Sequence, residues 1–479
     1  MVIATSLNYY SLYFERMNET TKKPSSGISG YSHRIYQSIF PDPLIPKSER
    51  ERKRYLLKNL ILHFRPSTVP EKTLKFSLTW GLGGMAAILV LLQFGTGLLL
   101  KFVYEPTPVS AYTSILMLQN EVVFGQLIRN LHHWSANLLV LIVFLHMLRV
   151  FFTGAFYPPR QFNWIVGLGL FSLVLLANFT GYLLPYDQLA YWAVTVSTGM
   201  LEYIPGIGVL LQEMLRGGSD IGPATLSIFF AIHTAMVPFG LIILMAFHFW
   251  RTRKAGGLVI PRTPQEEIEE RPIRVPTVPN LLVREVVTAI VLLAFILVFA
   301  MVFNAPLESK ANPGLSPNPT KAPWYFSGIQ EMLLHFHPFF SLFIIPILMM
   351  IALLSLPYID YESTASGVWF GSLKARKMAL VAAITAIIAT PAGILADEYM
   401  IDIAAWMPGV PASISNGLIP FMIILAGSIG FYALIKRKYL ATNNEAIQAL
   451  FVLFLVSFII LTATGIWFRG IGMKLMLPF

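Results

Sequence analysis

The sequence predicts an all-α polytopic membrane protein, and three observations point there. Of its 479 residues 55% are hydrophobic and 13% charged, and the mean hydropathy is +0.64, so a water-soluble fold would lack the polar surface to cover itself. Apolar stretches of about 20 residues, the length that crosses a hydrocarbon core about 30 Å thick, recur along most of the chain. Basic residues crowd alternate loops, as the positive-inside rule requires of successive crossings. The net charge of +10 therefore belongs to loops beside the membrane, and a nucleic-acid partner is set aside. No cysteine is present, which excludes disulfides, thiolate-bound iron–sulfur clusters and thioether attachments within the chain.

Residues 1–75 carry no span. They are polar and mixed, with a charged run from Lys47 to Lys58, lack the short apolar core of a cleavable signal, and read as a cytoplasmic N-terminal extension. Spans are expected near 78–103, 128–152, 164–184, 227–250, 284–304, 338–357, 377–396, 417–435 and 447–467, about nine helices. Lysine and arginine crowd the N-terminal region, the 251–284 stretch (Arg251, Arg253, Lys254, Arg262, Arg271, Arg274, Arg284), the 374–377 loop (Lys374, Arg376, Lys377) and 436–438 (Lys436, Arg437, Lys438). This pattern puts the N-terminus in the cytoplasm and the C-terminus outside. The connection at 251–283, with IPRTPQEEIEERPIRVPTVP, is charged and rich in proline. It divides a four-helix part, 76–250, from a C-terminal membrane part, 284–479.

Two histidine pairs lie in the front part: His132 with His146, and His233 with His248. Fourteen residues span roughly 21 Å of helix and return close to the same face. The second and fourth spans run the same way, so His132 and His233 sit at the outer depth, His146 and His248 at the inner one. Two bis-imidazole sites result, His132 with His233 for an outer haem iron and His146 with His248 for an inner one. The N-terminal half is thus expected to be a four-helix di-haem bundle holding two non-covalent b-type haems. The fifteen-residue gap from His233 to His248 is about 60° off register and requires a local adjustment. His133, thirteen residues before His146, is turned by roughly 140° and is the poorer ligand. For any one of these histidines a polar helix contact or a proton path is the competing reading; four at matching depths are harder to explain so.

Gly83 and Gly97 in the first span, and Gly167 and Gly181 in the third, repeat the fourteen-residue spacing on the helices that lack ligands. Glycine there leaves room for a macrocycle, although small residues also serve helix packing. Arg129 and Arg149, three residues from His132 and His146, are placed to meet haem propionates or to anchor helix ends at the interface.

These residues carry a family resemblance. LIRNLHHWSANLLVLIVFLHMLRVFFTGAF, then GYLLPYDQLAYWAV, then AIHTAMVPFGLIILMAFHFW closely resemble cytochrome b of the quinol-oxidising cytochrome bc and b6f complexes, over about residues 76–360. The HHWSA opening and the longer gap before His248 resemble the b6 variant, here joined to a back half resembling its partner subunit IV, as in a fused bacterial form. The resemblance implies quinol oxidation at an outer pocket and electron bifurcation. One electron leaves to a Rieske iron–sulfur protein and a c-type cytochrome; the other crosses by the two haems to a quinone-reducing pocket, coupled to proton translocation. It also implies a homodimeric complex in a bacterial cytoplasmic or internal energy-conserving membrane.

Two departures from the family matter. Where its oxidation pocket carries Pro-Glu-Trp-Tyr, this chain reads Ala322, Pro323, Trp324, Tyr325. The carboxylate is missing, a replacement that resembles enzymes of low-potential quinols and favours menaquinol. Tyr325 is then expected to hydrogen-bond the quinol, and Trp324 either does likewise or packs at the interface. Glu331, about two turns on, stands as substitute proton acceptor or as a structural helix residue. Where the b6 relatives tether an extra haem by a cysteine before their LGG, this chain has Gly81, so no thioether-linked haem is expected. Arg253 and Lys254 match the basic pair after the last ligand and imply contact to a quinone or propionate, topology-setting charge being the other reading. His335 and His337 resemble a metal pair but are taken as pocket or surface residues. Asp187 and Tyr191 resemble the segment near the Rieske docking surface. The last two spans, beyond about residue 397, lack histidine ligands and are expected to serve packing, lipid or partner contacts. Two rivals share part of this pattern: a di-haem anchor of another quinone-linked dehydrogenase, and a haem-free transporter whose histidines relay protons.

Overall fold

The computed structural model describes residues 28–40, 48–49, 66–261, 272–361 and 367–477. Most of the charged run from Lys47 to Lys58, together with Arg262 and Arg271, lies outside the described residues. Helix α1, Ile28–Ile39, precedes the membrane part. Nine helices among the described residues are long and apolar enough to cross a membrane. With the shorter helices between them they run α2 Leu82–Lys101, α3 Ala111–Asn120, α4 Gly125–Phe152, α5 Gln161–Leu183, α6 Gln188–Gly199 and α7 Gly208–Arg216. There follow α8 Pro223–Lys254, α9 Thr277–Val302, α10 Trp324–His335, α11 Phe340–Tyr358, α12 Leu373–Tyr399, α13 Ile414–Tyr439 and α14 Asn443–Trp467. The spans are α2, α4, α5, α8, α9 and α11 to α14. The expected stretches all become helices; α9 begins earlier than expected, although Val278 near its start is extended (φ −100°, ψ 127°) and the continuous helix lies beyond it.

Helix ends follow local chemistry. Gly81 starts α2 from a left-handed conformation, φ 65°, which glycine adopts without steric cost. Asp187 caps α6 by accepting from the Ala190 amide, and Thr442 with Glu445 closes a reciprocal capping box on α14. Three spans contain a π turn: Ile232–Met236 in α8, Phe340–Ile344 in α11 and Ile414–Leu418 in α13. Each is followed two residues later by a proline, Pro238, Pro346 or Pro420. Proline has no N–H for the helical ladder and its ring crowds the preceding turn; a wider turn relieves both.

Packing is layered along the bundle. Leu89 and Val90 of α2, Leu139 and Val140 of α4, Val174 of α5, Val237 and Leu241 of α8 and Leu292 of α9 form the mid-depth core. At the His146–His248 end, Phe151 and Phe152 meet Met378 and Ala382 of α12 and Ala446, Ala449 and Val452 of α14. The opposite end closes over Leu183, Val194, Leu226 and Phe229. A two-stranded antiparallel ladder pairs Thr68–Pro70 with Arg274–Pro276, so the lead-ins to α2 and α9 enter from the same side. The front and back parts are packed together: the indole of Trp134 in α4 donates to the Phe303 carbonyl beyond α9.

Candidate functional site

The four spaced histidines meet in the two expected pairs. Ring centres of His132 and His233 are 6.1 Å apart with planes at 77°, and those of His146 and His248 are 6.5 Å apart, also at 77°. Two metal–imidazole bonds of about 2 Å each, with the ring radii added, separate ring centres by roughly 6 Å. Each pair therefore faces across the gap that one metal ion would span. His133 does not join them; its ring lies edge-on to Trp134, and its carbonyl accepts from Asn137.

Equal registers on α4 and α8 depend on the π turn. His233 lies within Ile232–Met236, where the turn takes in one extra residue. That residue absorbs the difference between fifteen and fourteen, about 100° of rotation, and brings His248 round to His146.

Tautomers are set from behind. The Thr96 hydroxyl donates to the Leu92 carbonyl at 2.7 Å, which leaves its oxygen to accept from His132 Nδ1 at 2.9 Å. His233 Nδ1 faces the Ala177 carbonyl at 3.0 Å, an acceptor only, and so carries the proton. Both rings thus turn an unprotonated Nε2 inward, the form that ligates a metal.

The glycines lie against the ligand rings themselves. A Cβ on Gly83 would come 3.3 Å from His146 Cε1, on Gly97 3.3 Å from His132 Cε1, on Gly167 3.6 Å from His248 Cε1 and on Gly181 2.6 Å from His233 Cε1. The expectation of open space for a macrocycle becomes a narrower finding: each glycine lies against one imidazole, most tightly Gly181, while at Gly167 a Cβ would make only an ordinary contact. Arg149 donates Nε to the Leu78 carbonyl at 2.9 Å, while its buried Nη2 and the buried Nη1 of Arg253 have no partner among the described residues. Two buried cationic donors at the His146–His248 end suit the carboxylates of a haem. The residues present fit that group: paired imidazoles, glycine seats and unspent arginine donors. Arg129 is spent otherwise, on the Ala305 and Pro306 carbonyls at 2.8 and 2.6 Å.

Helix α10 crosses the His132–His233 end. The Trp324 indole donates to Asn137 Oδ1 of α4 at 2.8 Å, Tyr325 packs on the mid-depth core, and Phe326 meets Phe179 of α5 edge-on. Burial raises the Tyr325 hydroxyl above its ordinary range. Glu331 lies six residues on, about 120° round the helix from Tyr325, wholly buried. Its carboxylate accepts from Arg469 Nε at 3.0 and 3.1 Å and from Nη2 at 2.6 Å, and it lies 3.2 Å from His335 Nε2. Burial alone would raise Glu331, but His335 and Arg469 outweigh it and hold the carboxyl below its usual range. Burial would likewise lower His335; hydrogen bonds and charges from Asp397 and Glu331 reverse this and hold it at about 9.

His337 takes no part in this cluster and packs edge-on to Tyr203. Among the described residues no group of three or more His, Asp or Glu is arranged to hold a metal ion. Asp187 and Tyr191 are buried, Asp187 receiving the Ala190 and Glu308 amides. Sequence reasoning missed Arg469, although a lone arginine just past a span, at the end where basic residues are scarce, was a usable signal.

Comparison with known proteins places this geometry. The family described as Cytochrome b/b6/petB matches residues 69–256. Cytochrome b6 of Mastigocladus laminosus is 45% identical over 175 residues, 36% of this chain and 81% of the relative. Cytochrome b6 of Heliomicrobium gestii is 44% identical over 188 residues, 39% of this chain and 87% of the relative. A solved chain titled "Hyperthermophilic respiratory Complex III" shares the fold with TM-score 0.61 at 24% identity, over 86% of this chain and 98% of that one.

Proposed function

This chain belongs to the cytochrome b/b6 family, whose members hold b haems, and from that premise we propose that it is the cytochrome b subunit of a quinol:cytochrome c oxidoreductase. It works in a bacterial energy-conserving membrane with the N-terminus cytoplasmic, oxidises menaquinol at the outer end, and is coupled to proton translocation. Its partners are a Rieske iron–sulfur protein and a c-type cytochrome, in a homodimeric complex. The observation that carries this reading is the pair of facing imidazole sets, 6.1 and 6.5 Å across, stacked at the two ends of one bundle.

His132 with His233 and His146 with His248 hold the two haems, which when bound supply single-electron transfer across the bilayer. Thr96 and the Ala177 carbonyl keep the ligand nitrogens of His132 and His233 free, while Gly83, Gly97, Gly167 and Gly181 let the rings sit close to their helices. Arg149 and Arg253 offer charge to the inner group, and Arg253 also faces the inner quinone pocket. At the outer pocket Tyr325 meets the quinol: its hydroxyl has no hydrogen-bond partner among the described residues, and Trp324, pinned by Asn137, fixes the turn before it. Menaquinol is the substrate on the ground that Pro323 stands where a carboxylate would otherwise serve.

A reduced-minus-oxidised spectrum run as a redox titration tests this reading. Two b-type components are expected, His132→Ala removing one and His248→Ala the other. A colourless complex returns the chain to the transporter class. Two haems with no quinol-dependent reduction of a Rieske protein leave a dehydrogenase anchor.

A further inference from the structure

The ninth span has no ligand to offer, yet its far end reaches the segment assigned to the quinol. Arg469, two residues past α14, has a wholly buried side chain, as has Glu331. Besides Glu331, Arg469 Nη1 donates to Glu398 Oε2 of α12 at 3.0 Å and to the Met473 carbonyl at 2.9 Å. His335 bridges from Glu331 to Asp397 Oδ2 of α12, 2.7 Å from its Nδ1. Around this centre the same stretch grips the α10 segment along its length. Lys321 Nζ donates to the Ile466 carbonyl at 2.8 Å, and the Gly472 amide to Asn318 Oδ1 at 2.6 Å. The backbones of α10 and α14 approach so closely that a Cβ on Gly465 would lie 2.9 Å from the Ser327 carbonyl oxygen, and one on Gly328 2.6 Å from Thr462 Oγ1.

Helix α10 is thus held on two sides. Tyr325 and Phe326 face the haem bundle; Ser327, Gly328, Glu331 and His335 face α14 and α12, with Glu331 about 120° round the helix from Tyr325. A buried ion pair adds little stability over an apolar replacement, because desolvation of both charges offsets their attraction. What it does specify is register, since a shift of either helix leaves a charge unpaired in a dry site. We propose that Arg469 is a positioning residue for quinol oxidation: by clamping Glu331 it fixes the rotation and depth of α10, and through α10 the place of Tyr325. Holding this clamp is the task of the ninth span. Glu331 then acts as the clamp's anion on the face turned from Tyr325, the structural one of the two roles that the sequence left open. The inference rests on the reading of α10 as part of the quinol pocket.

The test is steady-state quinol oxidation by the assembled complex, with haem spectra as the check on folding. Arg469→Met is expected to lower kcat/KM for the quinol by roughly tenfold to 100-fold, the scale of a misplacement near 1 Å. The loss should fall mainly on KM, with both haem potentials unchanged. Arg469→Lys should restore part of it, and it carries the test alone if Arg469→Met does not assemble. Glu331→Gln should raise KM in the same way without moving the pH profile of kcat. Unchanged KM in the Arg469 variants overturns the proposal, as does a Glu331→Gln enzyme with normal KM and one ionisation lost from its kcat profile, which would make Glu331 a proton carrier. A wild-type complex inert toward quinol removes the functional reading and this proposal together; an active wild type with indifferent variants removes this proposal alone.

Discussion

Gly181→Ala and Gly167→Ala should behave oppositely, although the two positions look equivalent in sequence. Carbon atoms rest about 3.5–4.0 Å apart. The new Cβ at Gly181 would lie 2.6 Å from His233 Cε1, against 3.6 Å between the one at Gly167 and His248 Cε1. Relief at Gly181 therefore needs a shift of about 1 Å, half the length of an imidazole–metal bond of about 2 Å, and α5 and α8 are packed too closely to supply it freely. Overpacking of this kind costs about 1–3 kcal/mol. Expressed wholly at the site, that lowers affinity for the haem between His132 and His233 by about 5-fold to 150-fold. Haem stoichiometry after purification and a redox titration of the difference spectrum measure it. Gly181→Ala should lose or shift the component that His132→Ala removes, while Gly167→Ala leaves both in place. Equal damage from the two variants, or none from Gly181→Ala, would refute the assignment of these glycines as seats for the ligand rings.

Two further outcomes follow from the contacts. Thr96→Val removes the acceptor behind His132 Nδ1, weakening the imidazole as a donor; second-shell losses of this kind lower metal affinity about 10- to 100-fold. The outer component alone should move to higher potential, and an unchanged titration would show that the hydroxyl does not tune the ligand. The second concerns pH. His335 rises from 6.5 to about 9 in the folded protein, so its contribution to stability is complete below pH 6.5 and fades as pH climbs through 9. Glu331, held low, contributes at neutral pH and loses that contribution in acid. Melting temperature should fall between pH 7 and pH 9, and His335→Asn should flatten that limb; an identical slope in the variant would place the titration elsewhere.

What the sequence determined by itself was whatever a single helix repeats. The nine spans and the fourteen-residue histidine and glycine registers are local, governed by rise per residue and by hydropathy within one segment; the missing carboxylate at Pro323 was legible only through the family resemblance. Even the odd fifteen-residue gap was legible as a misfit, and the need for a local adjustment could be stated before its form, a π turn ahead of Pro238, was known. Tertiary structure alone decided which side chains spend their hydrogen bonds elsewhere. Arg129 looked equivalent to Arg149 yet grips two carbonyls beyond α9, and Glu331 meets Arg469 across 138 positions of chain. Such pairings depend on how separate helices rotate against one another, and no periodicity within either helix encodes that angle.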